Sequence, residues 1–369
     1  MLPYFITKDN NLHKYLLTHK INCMKNLVLF IISLLITGNI MAQDIHFSQF
    51  NNAPLSLNPA LAGAFNAEHR VIANYKSQWH SVAKSYMTYG LSYDAGILKG
   101  KLNGGILGIG VQLFNDQAGE NKMGLTQGNI SIAYHLPINR SNFLTAGIQG
   151  GFAQRRIDES KMRWDSQYDP FSFDGYNASL PTGELSSYSS KNYGDISAGL
   201  LWAFNSQTST MSSNDAKKVN VGIAVFHINR PRQTFYDVKD NKLYMKFALH
   251  ANSFIGVKNT NLAILPSAVW YRQGPSNDIL VGSLFRYRLN NASKYTNFAS
   301  ENAIAIGCHY RVGDAVIVSA QLEWKNFLLG VSYDVNTSKL SSATNGAGGI
   351  EIAVSYFTPL FDKKSRSMF

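Results

Sequence analysis

His227 and Asp237, in "HINRPRQTFYD", are the nearest approach in this 369-residue chain to a general base with an orienting carboxylate. Nothing else singles that pair out, and a hydrogen-bonded histidine at a strand end accounts for His227 better than catalysis does. The 9 histidines are scattered and show no His-x-x-Glu-His spacing for zinc hydrolysis. Asp165, Asp169 and Asp174 in "DSQYDPFSFDG" lack the alternate-residue carboxylates and terminal Glu of a calcium loop. In "GGILGIG" the glycines alternate and no Lys-Ser/Thr ending follows, so the stretch belongs to a strand and not to a phosphate loop. Once Cys23 departs with a leader, Cys308 is the lone cysteine, a small apolar strand residue that forms neither an internal disulfide nor a metal cluster. The sequence predicts no enzymatic activity, no cofactor and no metal.

The elements around these residues follow a period of two. Only 15% of the residues are charged, against roughly 25% in globular chains, while 19 Tyr, 21 Phe and 29 Gly are plentiful. In "SYMTYGLSYDA", Met87, Tyr89, Leu91 and Tyr93 share one face. In "NFLTAGIQGGFAQ", Leu144, Ala146, Ile148 and Phe152 oppose Thr145, Gly147 and Gln149. The pattern recurs about fourteen times, each segment near the roughly 9–11 residues that cross a bilayer at a tilt. A soluble sandwich would turn its apolar face inward, whereas a membrane barrel turns it to lipid. The opposite face is rich in Gly, Ser, Thr, Gln and Asn and poor in Lys and Glu. Aromatics such as Trp79, Tyr86, Trp202, Trp270, Trp324 and Tyr356 gather at strand ends, as interfacial girdles do. The expected fold is all-β: a transmembrane antiparallel barrel of about 14 strands over residues 67–358, with a tail at 359–369.

An even strand count puts both barrel termini in the periplasm and the odd connections outside. The long connection 156–192, rich in Asp, Ser, Tyr and Pro, then faces outward, as long loops do. Two inner connections, 206–217 and 290–301, exceed a short turn. At the start, "MKNLVLFIISLLITGNIMAQ" carries Lys25, an apolar run from Leu27 to Ile36, and a cut site before Gln43. That predicts a cleaved signal peptide at 24–42, residues 1–23 being an overcalled start; the apolar stretch is short for a membrane anchor. The formal charge of +11 is spread over strand ends and connections, without a basic helix or an RNA-binding aromatic signature. Such cations suit lipid phosphates or an acidic protein partner, not nucleic acid.

Between leader and barrel, residues 43–66 fit neither pattern. In "NNAPLSLNPALAG", Pro54 and Pro59 forbid a regular strand or an unbroken helix, yet the leucines are too apolar for a solvated linker. Asn58-Pro59 favours a turn and Gly63 permits positive φ. The expectation is a segment whose leucines enter the lumen from beneath, closing the pore from the periplasmic side or docking a partner there.

Four motifs in order complete the picture. Phe47-Ser48-Gln49, Asn58-Pro59-Ala60-Leu61-Ala62-Gly63, Tyr75-Lys76-Ser77-Gln78-Trp79, and "VFHINRPRQTF" with His227, Asn229 and Pro231 resemble the PorP/SprF family of outer-membrane proteins of the type IX secretion system. "PSAVWYRQGP" looks similar too, and Lys76 replaces the family's usual Arg. The resemblance implies an outer-membrane barrel that assists export or surface anchoring of large adhesins and gliding-motility proteins bearing a C-terminal sorting domain. It implies partners among those secreted proteins, other secretion components at the periplasmic face, and outer-membrane lipid. The competing function is a plugged small-molecule uptake channel of porin or hydrocarbon-transporter type.

Overall fold

The computed structural model describes residues 44–80, 85–102, 105–119, 123–158, 162–173, 175–183, 190–206, 216–233, 242–290, 302–338 and 341–358. The expected leader, the tail at 359–369, Asp174, Asp237, most of 206–217 and 291–301 lie outside them.

Fourteen antiparallel strands form a closed barrel. They are β1 (His69–Gln78), β2 (Tyr86–Leu102), β3 (Gly105–Ala118), β4 (Met123–Pro137), β5 (Asn142–Arg156), β6 (Ser190–Asn205) and β7 (Lys217–Phe226), then β8 (Lys246–Gly256), β9 (Leu262–Gln273), β10 (Ser276–Asn290), β11 (Asn302–Arg311), β12 (Ala315–Trp324), β13 (Phe327–Asn336) and β14 (Ala347–Phe357). Each pairs with its sequence neighbours, and β1 pairs with β14 from Arg70 opposite Phe357 to Gln78 opposite Gly349, so no edge is left to aggregate.

The side chains are arranged inside out. Leu91, Leu113, Ile130, Ile148, Ile196, Leu200 and Ile306 stand exposed on the outer wall. Ser92, Gln112, Asn129, Ser131, Thr145, Gln149, Ser319 and Ser332, from the opposite phase, are buried within. In a chain that alternates so strictly, lipid is the only solvent that accepts this outer wall. No helix among the described residues is long and apolar enough to cross a membrane. Ring pairs mark both rims: Trp79 on Tyr86 at 4.9 Å on one, Phe327 on Tyr356 at 5.0 Å on the other.

The interior is less uniformly hydrophilic than the alternation predicts. Leu201, Val269, Leu280 and Ile317 also point inward and are buried. They are covered by the N-terminal segment, whose leucines need apolar partners. Cys308 is a free cysteine on strand β11, on its outer, lipid-facing wall.

The rim opposite the barrel termini bears the longest connections, 157–189 and 227–245, while the rim with the termini bears 103–104, 138–141, 257–261 and 325–326 and the two connections 206–216 and 291–301 that exceed a short turn. By the rule that outer loops are the longer ones, the first rim faces outward and the second faces the periplasm.

An arginine replacing Ile148, near the middle of β5, is expected to destabilise the barrel in lipid vesicles by about 2–4 kcal/mol.

Candidate functional site: the filled lumen

The segment ahead of β1 runs through the lumen from rim to rim. It enters at the outward end, where the Asp44 amide donates to Gln273 at the end of β9 (2.9 Å). It leaves at the periplasmic end, where the Gly63 amide donates to Asp94 of β2 (2.8 Å) and Arg70, at the start of β1, donates to the Leu61 carbonyl (3.2 Å). The leucines enter the lumen as expected, but the segment is not confined to the periplasmic side: it spans the lumen from rim to rim and leaves a cavity of about 50 Å³ beside Ser56, Gln112, Gln127 and Asn129.

The two prolines explain its form. They break the segment into a 3-10 turn (Phe50–Asn52), one helical turn (Pro54–Leu57) and a second 3-10 turn (Pro59–Leu61), with a proline opening each of the last two. Asn58 caps the last turn through the Ala60 amide (2.9 Å), and its side-chain amide donates to the Leu200 carbonyl of β6 (3.0 Å) and meets His250 of β8 (3.1 Å). Short turns keep backbone groups free to bond the wall. His135 bridges the Ala62 carbonyl (2.8 Å) and Thr145 (2.8 Å), and Gln149 reaches the Leu55 carbonyl (3.3 Å).

Phe50, Leu55 and Leu57 are fully buried, Leu57 with Phe50 against the apolar patch of β6–β12 and Leu55 against Ala133. Each contributes about 1.5–3 kcal/mol by leaving water. Backbone approaches wall closely at two glycines. A Cβ on Gly108 would overlap the Ala62 carbonyl oxygen, and one on Gly199 would overlap the Asn58 side chain.

A chain of charges fastens the first half. Glu351 of β14 accepts the amides of Ser48 (2.7 Å) and Gln49 (2.9 Å) and pairs with Lys76 of β1 at 3.0 Å. Lys76 also donates to the His46 carbonyl (2.8 Å). Beside it, Arg311 of β11 donates to Ser48 (2.7 Å) and to Asp334 of β13 (3.1 Å), which accepts the Ser48 hydroxyl (2.8 Å). At the far end Arg70 grips Asp94 through two hydrogen bonds of 2.9 and 2.7 Å. One carboxylate, Glu351, thus ties the first strand, the last strand and the lumen segment together at the barrel seam.

Of the residues singled out in the sequence, Phe47, Ser48, Gln49, Asn58, Pro59, Ala60 and Gly63 all lie in this buried segment. Tyr75 does not join them: it faces lipid beside Tyr89 (ring centroids 5.3 Å apart) because Lys76 holds the inward phase. Gln78 ends β1, and Trp79, at positive φ, packs on Tyr86 at the outward rim. Asn229 pins the 227–245 connection onto β6 through the Gly194 carbonyl (2.7 Å), and the Pro231 carbonyl accepts the Leu243 amide (2.9 Å). Sequence reasoning missed Asp44, Asp94 and Glu351, and read Lys76 only as a departure within a motif. The signal was present: each is a lone charge on the inward phase or at the lip of the lumen, in a chain short of charge.

His227 sits in the connection beyond β7, between Asp195 (2.9 Å) and Asp44. Burial disfavours its cation, but Asp44 and Asp195 outweigh that and raise it to about 9. Burial also opposes ionisation of Asp44, yet His227, Lys246 and the hydrogen bonds from His227 and Gln273 hold it below the usual carboxylate range. The arrangement clamps the entry of the lumen segment with a charged pair. Among the described residues it offers no nucleophile to the imidazole, and no group of His, Cys, Asp and Glu there is placed to hold a metal ion.

The family described as "Type IX secretion system membrane protein PorP/SprF" matches residues 39–356. The chain belongs to this family. It is an outer-membrane β-barrel of type IX secretion, and the filled lumen is that of a PorP/SprF barrel. No curated protein matches the chain. Among solved structures it is similar to the Ralstonia pickettii toluene transporter TbuX, at 10% identity and TM-score 0.44, covering 84% of this chain and 94% of that one. The P. putida toluene transporter TodX gives 9% identity and TM-score 0.43 over 84% and 94%. CdiB from Acinetobacter baumannii gives 8% and 0.39, covering 78% of this chain, which spans 60% of that protein's length.

Two outcomes follow from the geometry. Glu351→Ala strands Lys76 in the lumen and is expected to cost about 3–5 kcal/mol in urea unfolding, only part of it recovered when Lys76→Met is added, since the Ser48 and Gln49 amides stay without their acceptor. The His227 contribution is fully present below about pH 6.5 and lost as pH rises through about 9, since its folded value is the raised one. That of Asp44, whose folded value is depressed, is present above about 3.8 and lost as pH falls. A pH series of unfolding midpoints should show the alkaline loss in the wild type and not in His227→Gln.

Proposed function

We propose that this protein is a non-enzymatic anchor and adaptor, which holds secreted proteins with C-terminal sorting domains at the outer membrane through its rims and not through its pore. The observation that supports this most directly is the lumen itself, occupied from Asp44 to Gly63 and bonded to the wall along its length. A solute path would require breaking buried ion pairs at Glu351 and Arg70, and such pairs are costly to separate.

Large adhesin-like or gliding-motility proteins are the cargo class, and other type IX components meet the periplasmic rim. The leader is removed before Gln43, which frees the segment to thread the barrel. In this proposal Phe47, Ser48, Gln49, Asn58, Pro59, Ala60 and Gly63 keep the lumen closed. Gln78 and Trp79, with His227, Asn229 and Pro231, shape the outward rim, and Tyr75 packs that wall against lipid.

Planar bilayers test the closure. The intact barrel is expected to carry no sustained ion current and to let no small solute into liposomes, while a variant lacking residues 44–63 should conduct. Steady current or solute uptake by the intact protein would favour an uptake channel and overturn the proposal. A sorting domain from a secreted protein of the same cell should be retained by the immobilised barrel; failure to retain any such domain would remove the adaptor role.

A further inference from the structure

The outer wall carries a second feature that the closed lumen does not explain. At the outward rim, between the 227–245 connection and the β9–β10 turn, a groove of about 270 Å³ is lined by Arg230, Tyr244, Met245, Phe247, Arg272 and Gly274. Arg272 is on the bilayer side: its neighbours Tyr271 and Gln273 point inward and are buried, and its cross-strand partner is the lipid-facing Phe247. Arg230 is brought to the same groove by a tight turn, at positive φ, closed by its amide on the His227 carbonyl (2.9 Å). The Tyr244 ring packs against Gly274, where a Cβ would stand 3.0 Å from the ring.

Among the described residues no carboxylate lines this groove and neither guanidinium has an ion-pair partner. Two like charges beside a low-dielectric slab repel and call for an anion. Below them the wall is hydrocarbon-facing: Phe247, then Leu249 opposite Trp270, all exposed. The combination is a pair of planar forks above an apolar track, with aromatic and thioether surface between.

We propose that this groove binds the phosphorylated headgroup of an outer-leaflet lipid, its phosphate on Arg230 and Arg272 and its acyl chains along Phe247, Leu249 and Trp270. Guanidinium suits a phosphate better than ammonium does, because its fork donates two parallel hydrogen bonds. The outward position of the groove selects the outer leaflet, and the apolar track selects a lipid over a free anion. This site is independent of whether the lumen conducts or cargo is held.

Native mass spectrometry of the full mature barrel in detergent is the test, with diphosphoryl lipid A, fully dephosphorylated lipid A and inorganic phosphate as probes. The wild type should retain diphosphoryl lipid A and not the dephosphorylated form, and inorganic phosphate at equal concentration should not displace it. Arg230→Gln and Arg272→Gln should each weaken retention about tenfold, and together about a hundredfold, with the heat-modifiable gel shift of the folded barrel unchanged. Arg272→Lys, which keeps the charge and loses the fork, should fall between. Lys325→Gln, at the opposite rim, should bind like wild type. Retention by a folded double variant equal to wild type would overturn the proposal, as would equal retention of the dephosphorylated lipid. Displacement by inorganic phosphate would make the site one for free anions, and equal loss in Lys325→Gln would reduce it to general surface charge.

Discussion

A charge buried inside a barrel has to be paired there, and in this protein the pairing of Glu351 organises the rest. Its two oxygens are taken by backbone amides of the lumen segment and by Lys76. Because Glu351 is on β14 and Lys76 on β1, the same contact closes the seam and seats the segment. Seam and lumen segment are therefore coupled: without residues 48 and 49 the barrel can still close, but Glu351 loses two of its donors.

The architecture around that contact resolves a conflict of two solvents. The outer wall must be apolar to sit in lipid, which leaves an interior of small and polar side chains too thinly filled to pack on its own. The N-terminal segment supplies the missing interior. Its leucines cover the few apolar residues that point inward, its turns expose backbone groups to wall amides, and its glycine at position 63 makes the tight exit to β1. The wall answers with glycines where the segment presses closest, so the two surfaces interlock.

Much of this was legible in the chain. Strict alternation over fourteen segments announced the barrel, because a period of two with small polar residues on one face has few other uses. Pro54 and Pro59 among leucines announced a compact segment that belonged inside something. What alternation did not reveal was the direction in which the segment runs. That depends on Asp44 meeting His227 and Gln273, contacts between residues about two hundred positions apart. Nor did the motif around Tyr75 declare which of its residues mattered inside, since a strand gives half of any motif to each face. Lys76 took the lumen, and Tyr75 went to lipid.

The segment ahead of β1 lies within the closed barrel, and its contacts with the wall can be probed in native membranes. The Ser56 and Gln112 side chains are hydrogen-bonded across the lumen wall. Cysteines placed at both positions, in a Cys308→Ser background, should be joined by a short bis-methanethiosulfonate in intact outer membranes. Mass spectrometry of the digested protein should then recover the bridged peptides in high yield. A correctly folded, heat-modifiable barrel that yields both cysteines unbridged would contradict the account.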